Sequence, residues 1–269
     1  MAAAKGRGFA YHSQQVQELR RPGEVGVKQQ FSDVAEKKTE GIEKKISEIC
    51  VAMSQINVAD STEKLKSFTQ LVSSVCKTSE DLEKCVSIIF DFAVKSKWNA
   101  HLSAIFCNYL GDVATNGTKF RTVLLRKLQI SYKDRNKKYL ELEKFLLDAA
   151  FLCEIFHHMQ IEGCCLKVLA HPIIDYFGML VDGASFKETE LFVEHFPKCF
   201  KNLKENDPSG LDVLMTRIRK QIVCETSTVT VKAMLLEIFE LVLTDWKPMN
   251  QSAKVLYESL SKPIVRICD

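Results

Sequence analysis

A nearly uniform apolar stretch near the middle of the chain constrains the fold more than any other feature. Between Phe145 and Phe156 only Asp148 and Glu154 are charged. A helix that is apolar on almost every side is buried by neighbours around most of its circumference. The stretch is also shorter than the about 20 apolar residues that span a bilayer. The sequence therefore predicts that residues 140–161 form the central helix of an all-α domain, without a membrane segment.

Helical periodicity extends over the chain beyond residue 40, and no strand-like alternation of useful length occurs. Helix starts fall near residues 62, 97, 140, 186 and 228, with one further helix in each interval. Stacked helix pairs have repeats of roughly this length. The spacing predicts a HEAT- or armadillo-like solenoid of about five antiparallel helix pairs. A compact helical bundle is the alternative architecture.

Capping signals mark several of these helix starts. Ser185 stands three residues before Glu188, as in a capping box that satisfies two free backbone N–H groups. Asp207 precedes Pro208, which is favourable at the first position of a helix. Thr228 is the third predicted cap. Each signal predicts that a helix begins at the next residue.

Residues 1–40 lack apolar periodicity and contain glycine, glutamine and mixed charge. We predict a flexible N-terminal tail over residues 1–40 and a helical-repeat domain over residues 41–269. Several of the ten cysteines lie in apolar helical patterns, and the first 20 residues contain no signal-peptide core. These features predict a reduced protein of the cytoplasm, with the nucleus as a second location.

Signatures of catalysis are absent from the sequence. It contains no phosphate-binding loop, no G-x-G-x-x-G, no H-E-x-x-H, no G-x-S-x-G and no C-x-x-C. The net charge of +3 is too small to indicate nucleic-acid binding by itself. We therefore expect a protein that is not an enzyme and that uses no cofactor.

One group of residues could be read as ligands or nucleophiles: His157, His158, Cys164, Cys165 and His171. A metal site requires side chains that converge, and adjacent residues diverge on a helix, so at most one of each neighbouring pair could bind the same ion. A nucleophilic site lacks an orienting carboxylate. We favour a structural interpretation, with polar histidines at a negative helix end and two packed thiols.

A basic segment precedes the central helix. From Lys119 to Lys144 there are nine Lys or Arg and three Asp or Glu. Residues 116–118, Asn-Gly-Thr, predict a turn with an N-cap from which one basic helix, residues 119–138, begins. At about 100° per residue its cationic face carries a ridge of four residues: Lys119, Arg126, Lys133 and Lys137.

The ridge could hold RNA phosphates or an acidic partner surface. A solvated face that keeps the protein soluble is the third interpretation. No aromatic residues interleave with these charges, so base stacking is not predicted. Arg121 lies near the apolar face of the same helix, and we expect it to be partly buried and paired with a carboxylate.

Four segments resemble a known family. They are 119-KFRTVLLRKLQISYKDR-135, 145-FLLDAAFLCEIFHHMQI-161, 166-LKVLAHPIIDYFGML-180 and 211-LDVLMTRIRKQIVCETSTVTVKAMLLEIFELVLTDW-246. Together they resemble the middle domain of eukaryotic initiation factor 4 gamma over roughly residues 60–260. The similarity is closest to small single-domain adaptors that bind the histone-mRNA stem-loop-binding protein.

The resemblance implies a crescent of HEAT-like helix pairs without enzymatic activity. It implies docking of a DEAD-box RNA helicase and translation initiation factors, an indirect link to histone mRNA through the stem-loop-binding protein, and a homodimer. The chain lacks the Tyr-x-x-x-x-Leu motif for the cap-binding protein. We therefore expect a minimal adaptor in mRNA translation; direct RNA binding through the basic helix is the alternative.

Overall fold

The structure, a computed structural model, describes residue 41, residues 44–48, residue 51 and residues 61–261. The predicted tail, residues 1–40, lies outside the described residues. The segment 61–261 contains eleven α-helices: α1 (Ser61–Val75), α2 (Ser79–Ala93), α3 (Lys97–Leu110), α4 (Phe120–Lys133), α5 (Arg135–Tyr139), α6 (Leu142–His158), α7 (Ala170–Gly183), α8 (Phe186–Asn206), α9 (Pro208–Val223), α10 (Val229–Leu243) and α11 (Gln251–Leu260).

Two short antiparallel hairpins connect helices in this segment. The first joins β1 (Ala114–Thr115) to β2 (Thr118–Lys119), and the second joins β3 (Gln160–Ile161) to β4 (Cys164–Cys165). A 3₁₀ turn, Lys167–Leu169, leads into α7. Each hairpin has two positive-φ residues at its tip, as a two-residue type I′ turn requires. The hairpins are short connections between successive helices.

The helices stack in two rows. In the first row α1, α3, α6, α8 and α10 each contact the next helix in that order. In the second row α2 contacts α4, and α7 contacts α9. The first-row helices begin at residues 61, 97, 142, 186 and 229, beside the predicted starts. The expectation of an all-α, HEAT-like helical repeat is confirmed. None of the described helices is long and apolar enough to cross a membrane.

The apolar stretch forms α6, and its side chains are buried from Phe145 to Phe156 with the exception of one half-buried position at Leu147. The Phe151 ring meets the edge of Phe90 with centroids 5.6 Å apart, and Phe145 stacks on Tyr176 at 5.3 Å. Both contacts are with second-row helices, and α3 and α8 are the first-row neighbours of α6, so α6 is packed on most sides and has almost no polar face.

Three of the predicted capping signals are confirmed. Ser185 and Glu188 form a reciprocal capping box at the start of α8. The Asp207 side chain accepts a backbone hydrogen bond at the start of α9, with Pro208 as the first helical residue. Thr228 caps α10 in the same way. Local sequence sets these boundaries because each cap satisfies backbone groups within one turn.

The prediction of one basic helix over residues 119–138 is wrong. α4 ends at Lys133, Asp134 interrupts the helix, and α5 begins at Arg135. The break lets Arg135 and Lys138 reach carboxylates on other helices, at 3.3 Å and 2.8 Å. The predicted N-cap at residue 118 is also wrong, because Thr118 pairs in β2 and the cap position, Lys119, has no side-chain cap bond.

Truncation of Phe151 tests the central role of α6. Phe151→Ala should lower the free energy of unfolding by about 3–5 kcal/mol, because a fully buried ring is replaced by a cavity. Urea denaturation followed by circular dichroism measures the change. Leu140→Ala is the control: this side chain is 86% exposed, and its loss should cost less than about 0.5 kcal/mol. Equal effects of the two substitutions would contradict the central position of α6.

Candidate partner-binding surface

A groove of about 540 Å³ runs between α4 and α7 on the second row. Most of its lining is apolar, with four polar side chains at the edges. The apolar residues are Leu125, Leu128, Tyr132, Leu152, Val168, Leu169 and Pro172, and the polar ones are Thr122, Arg126, Gln129 and His171. Concave apolar surfaces with a few polar groups at the edge are typical of binding sites.

The groove has a buried floor and one strongly exposed wall. Leu128 of α4 and Leu152 of the central helix are each 4% exposed and lie at the bottom. Val168, in the 3₁₀ turn before α7, is 70% exposed. An apolar side chain this exposed beside an apolar groove offers further area that a partner could remove from water.

One end of the groove is closed by a polar junction between α4, α5 and α7. The Tyr132 hydroxyl donates a hydrogen bond to Asp175, and the Arg135 guanidinium lies 3.3 Å from the same carboxylate. Arg135 also stacks over the Tyr132 ring, 4.1 Å from its centroid. Burial is the main cause that raises the pKa of Tyr132, and the hydrogen bond to Asp175 raises it further. The junction fixes α4 relative to α7.

A second junction, centred on Asp148 of α6, lies beneath the first. This buried carboxylate accepts hydrogen bonds from the Ser131 and Tyr176 hydroxyls, at 2.6 Å each, and from Lys138 at 2.8 Å. The three donors come from α4, α7 and α5. Burial and the adjacent Asp148 raise the pKa of Tyr176, so the phenol remains a donor. One carboxylate of the central helix thus sets the spacing of the helices that form the groove.

The four ridge residues are all exposed, but they do not share one helix face. Arg126 lines the groove, and Lys133 ends the same helix. Lys119 precedes α4 and lies 3.7 Å from Asp112; Lys137 is on α5, 3.4 Å from Asp134. Among the described residues, Arg126 and Lys133 have no carboxylate within ion-pair distance. They are the ridge charges that remain available to a partner.

Other cations of the basic segment have contacts within the protein, and among those described below only the contact of Arg121 was expected from the sequence. Lys127 lies over the Phe90 ring, 5.2 Å from its centroid, and Lys138 pairs with Asp148. Arg121 is 15% exposed and its guanidinium lies 2.5 Å from Asp112, as expected. These contacts leave less free positive charge than the sequence suggested.

The five His and Cys residues considered as ligands do not form one group among the described residues. Cys164 and Cys165 lie in β4, while His171 lies beside the groove. His158 instead approaches Glu154 of its own helix and His101 of α3. Sequence reasoning missed His101 because it is 53 residues from Glu154; only the stacking of α3 on α6 brings them together.

The fold and the groove define a helical-repeat scaffold. The family model of the MIF4G domain matches residues 53–244, and the chain belongs to this family. It is the family of the middle domain of initiation factor 4 gamma. The resemblance seen in the sequence is confirmed. Domains of this family are of the scaffold type.

Relatives include both small and large proteins. The chain is 24% identical over 214 residues to an MIF4G domain-containing protein of Xenopus tropicalis, with 74% of this chain and 96% of the relative covered. It is 23% identical over 212 residues to the MIF4G domain-containing protein of Homo sapiens, with the same coverage. A CBP80/20-dependent translation initiation factor of Xenopus tropicalis is 26% identical over 205 residues, covering 75% of this chain but only 35% of that factor.

Substitution of Asp148 tests the junction beneath the groove. Asp148→Asn should destabilise the protein by about 3–5 kcal/mol, because Lys138 loses its partner in a largely buried site. Asp182→Asn is the matched control, since Asp182 and its partner Arg217 are 56% and 44% exposed and exposed pairs contribute about 0–1 kcal/mol. Chemical denaturation measures the free energy of unfolding of both variants. An Asp148→Asn protein as stable as the control would show that the junction does not stabilise the fold.

Proposed function

We propose that this protein is a non-enzymatic adaptor in mRNA translation, and that a protein partner docks in the groove between α4 and α7. The groove itself carries the proposal: its floor is apolar and buried, and its edge holds unpaired positive charge at Arg126. Membership of the MIF4G domain family and similarity to a translation initiation factor support the placement in translation.

The residues that line the groove predict the chemistry of the partner segment that would bind there. An apolar segment would fill the space above Leu128 and Leu152, and acidic residues beside that segment would pair with Arg126 and Lys133. We propose a DEAD-box RNA helicase or a translation initiation factor in this position, as the resemblance to the family implies. A histone-mRNA stem-loop-binding protein and a second copy of the chain are further proposed partners. We place this activity in the cytoplasm and the nucleus.

A charge in the groove wall tests the docking site. Val168→Glu should lower capture of a DEAD-box helicase from nuclease-treated lysate at least about tenfold, because the buried interface would receive an unpaired carboxylate. Pull-down with quantitative immunoblotting measures the recovery. Val229→Glu is the control, since Val229 has a similar exposure, 64%, at the start of the first-row helix α10.

Retention of the helicase by the Val168→Glu protein, at the level seen with Val229→Glu, would exclude the groove as its docking site. Loss of capture after nuclease treatment of the unaltered protein would instead indicate that RNA bridges the two proteins. The adaptor proposal requires capture that survives nuclease.

Direct RNA binding is the second candidate, and the two unpaired cations of α4 favour it. Arg126→Glu with Lys133→Glu should then weaken RNA binding and reduce the slope of log K against log salt by about 2, because two phosphate contacts are lost. Fluorescence anisotropy at several salt concentrations gives the slope. Lys201→Glu with Lys254→Glu, both exposed and on other helices, is the charge-matched control. An unchanged slope relative to this control would exclude the ridge from RNA binding.

A further inference from the structure

A histidine–carboxylate cluster lies on the first row of helices and shares no residue with the groove. Glu154 of α6 is almost fully buried, and its Oε2 atom lies 2.9 Å from Nδ1 of His101 and 3.1 Å from Nε2 of His158. These three donor atoms all lie within 4.8 Å of one another. The cluster joins α3 to its first-row neighbour α6.

We propose that His101, Glu154 and His158 form a binding site for a divalent transition-metal ion of the zinc class. Two imidazole nitrogens and one carboxylate oxygen form a common zinc ligand set, which leaves one coordination position for water. Imidazole also binds cobalt and nickel ions, whereas the absence of a thiolate or thioether from this ligand set disfavours Cu(I).

The cluster lies at the protein surface, although the Nε2 atom of His158 is itself buried and an ion would reach it after a rotation of that ring. The side chains of His101 and His158 are 31% and 26% exposed, while Glu154 is 3% exposed. The carboxylate is therefore fixed from the protein side, and the two imidazoles cover it from the solvent side. Both imidazoles can present a lone pair to an ion when the ring proton lies on the other nitrogen.

Only a small movement is needed to complete the coordination. Tetrahedral ligands at about 2.0–2.1 Å from zinc are separated from one another by about 3.3 Å. The two imidazole–carboxylate distances, 2.9 Å and 3.1 Å, are already close to this separation. The two imidazole donors are the atoms that must approach each other, and their partial exposure leaves room for a change of rotamer.

The second oxygen of Glu154 is held on the protein side of the site. Lys198 of α8 donates to Oε1 at 2.7 Å, and Nδ1 of His195 lies 3.3 Å from the same atom. Burial would raise the pKa of Glu154, but the surrounding imidazoles and Lys198 hold it well below the usual range. Glu154 is thus ionised, as a metal ligand must be. Lys198 is the group that competes with an ion for this charge.

His195 provides an independent indication that the cluster is more than an ion pair. It is 2% exposed, and among the described residues neither of its ring nitrogens has a hydrogen-bond partner of acceptable geometry. Polar atoms this deeply buried are normally satisfied. A small rotation would direct Nδ1 to Oε1, where His195 would orient the carboxylate as outer-shell groups do in metal sites.

Metal binding would have a structural consequence that is independent of partner docking. The ion would link α3 to α6 and stabilise only the folded state, since the two ligand helices are far apart in sequence. At zinc concentrations about a hundred times the Kd, the Tm should rise by about 5 °C. This readout requires neither RNA nor a helicase, so its failure would leave the adaptor proposal unaffected.

Isothermal titration of the chelator-treated full chain with zinc chloride tests the site. We expect one ion per chain with a Kd of about 1 µM or tighter. His101→Ala with His158→Ala should weaken binding at least about a hundredfold through the loss of two ligands. His171→Ala is the control, because His171 is an exposed histidine outside the cluster. Cobalt absorption should show tetrahedral coordination in the unaltered protein and in the control.

Lys198→Met provides a measurement that a merely structural cluster would not change. Removal of the competing ammonium should tighten zinc binding by about tenfold or more. The proposal is overturned if the unaltered protein binds zinc no more tightly than about 1 mM, or if the double-alanine variant binds as the unaltered protein does. The cobalt spectrum of the unaltered protein decides the question even if a variant fails to fold.

Discussion

Two buried carboxylates in the apolar stretch of α6 hold the neighbouring helices in position. Asp148 collects donors from α4, α5 and α7, and Glu154 collects donors from α3 and α8. Removing such charges from water costs several kcal/mol each unless hydrogen bonds and counter-charges compensate. The compensation here comes from both rows of helices, so the register of the solenoid depends on these contacts.

The groove follows from this arrangement. Because Asp148 and Asp175 fix α4 and α5 against α6 and α7, the space between α4 and α7 is held open at a defined width. Buried leucines form its floor and one exposed valine extends its wall. A scaffold of stacked helix pairs commonly uses its extended surface for binding. The proposed adaptor role depends on a surface whose shape is set by the core beneath it.

Much of the fold could be read from the sequence because its signals are local. Helix periodicity gave the first-row starts, and the caps at Ser185, Asp207 and Thr228 gave helix boundaries, since each cap acts within one turn. The break at Asp134 could not be read in this way. It accompanies the contacts of Lys138 and Arg135 with carboxylates on other helices, and periodicity carries no information about such contacts.

The same distinction applies to the sites. An all-α repeat, a buried central helix and a basic segment before it could be predicted from the sequence, because they depend on composition and spacing along the chain; the family resemblance came from four particular segments. Which cations are free, where the groove lies, and that His101 contacts Glu154 across 53 residues depend on the tertiary structure. Each site is formed by side chains from separate helices, so the stacking of those helices determines which side chains come into contact.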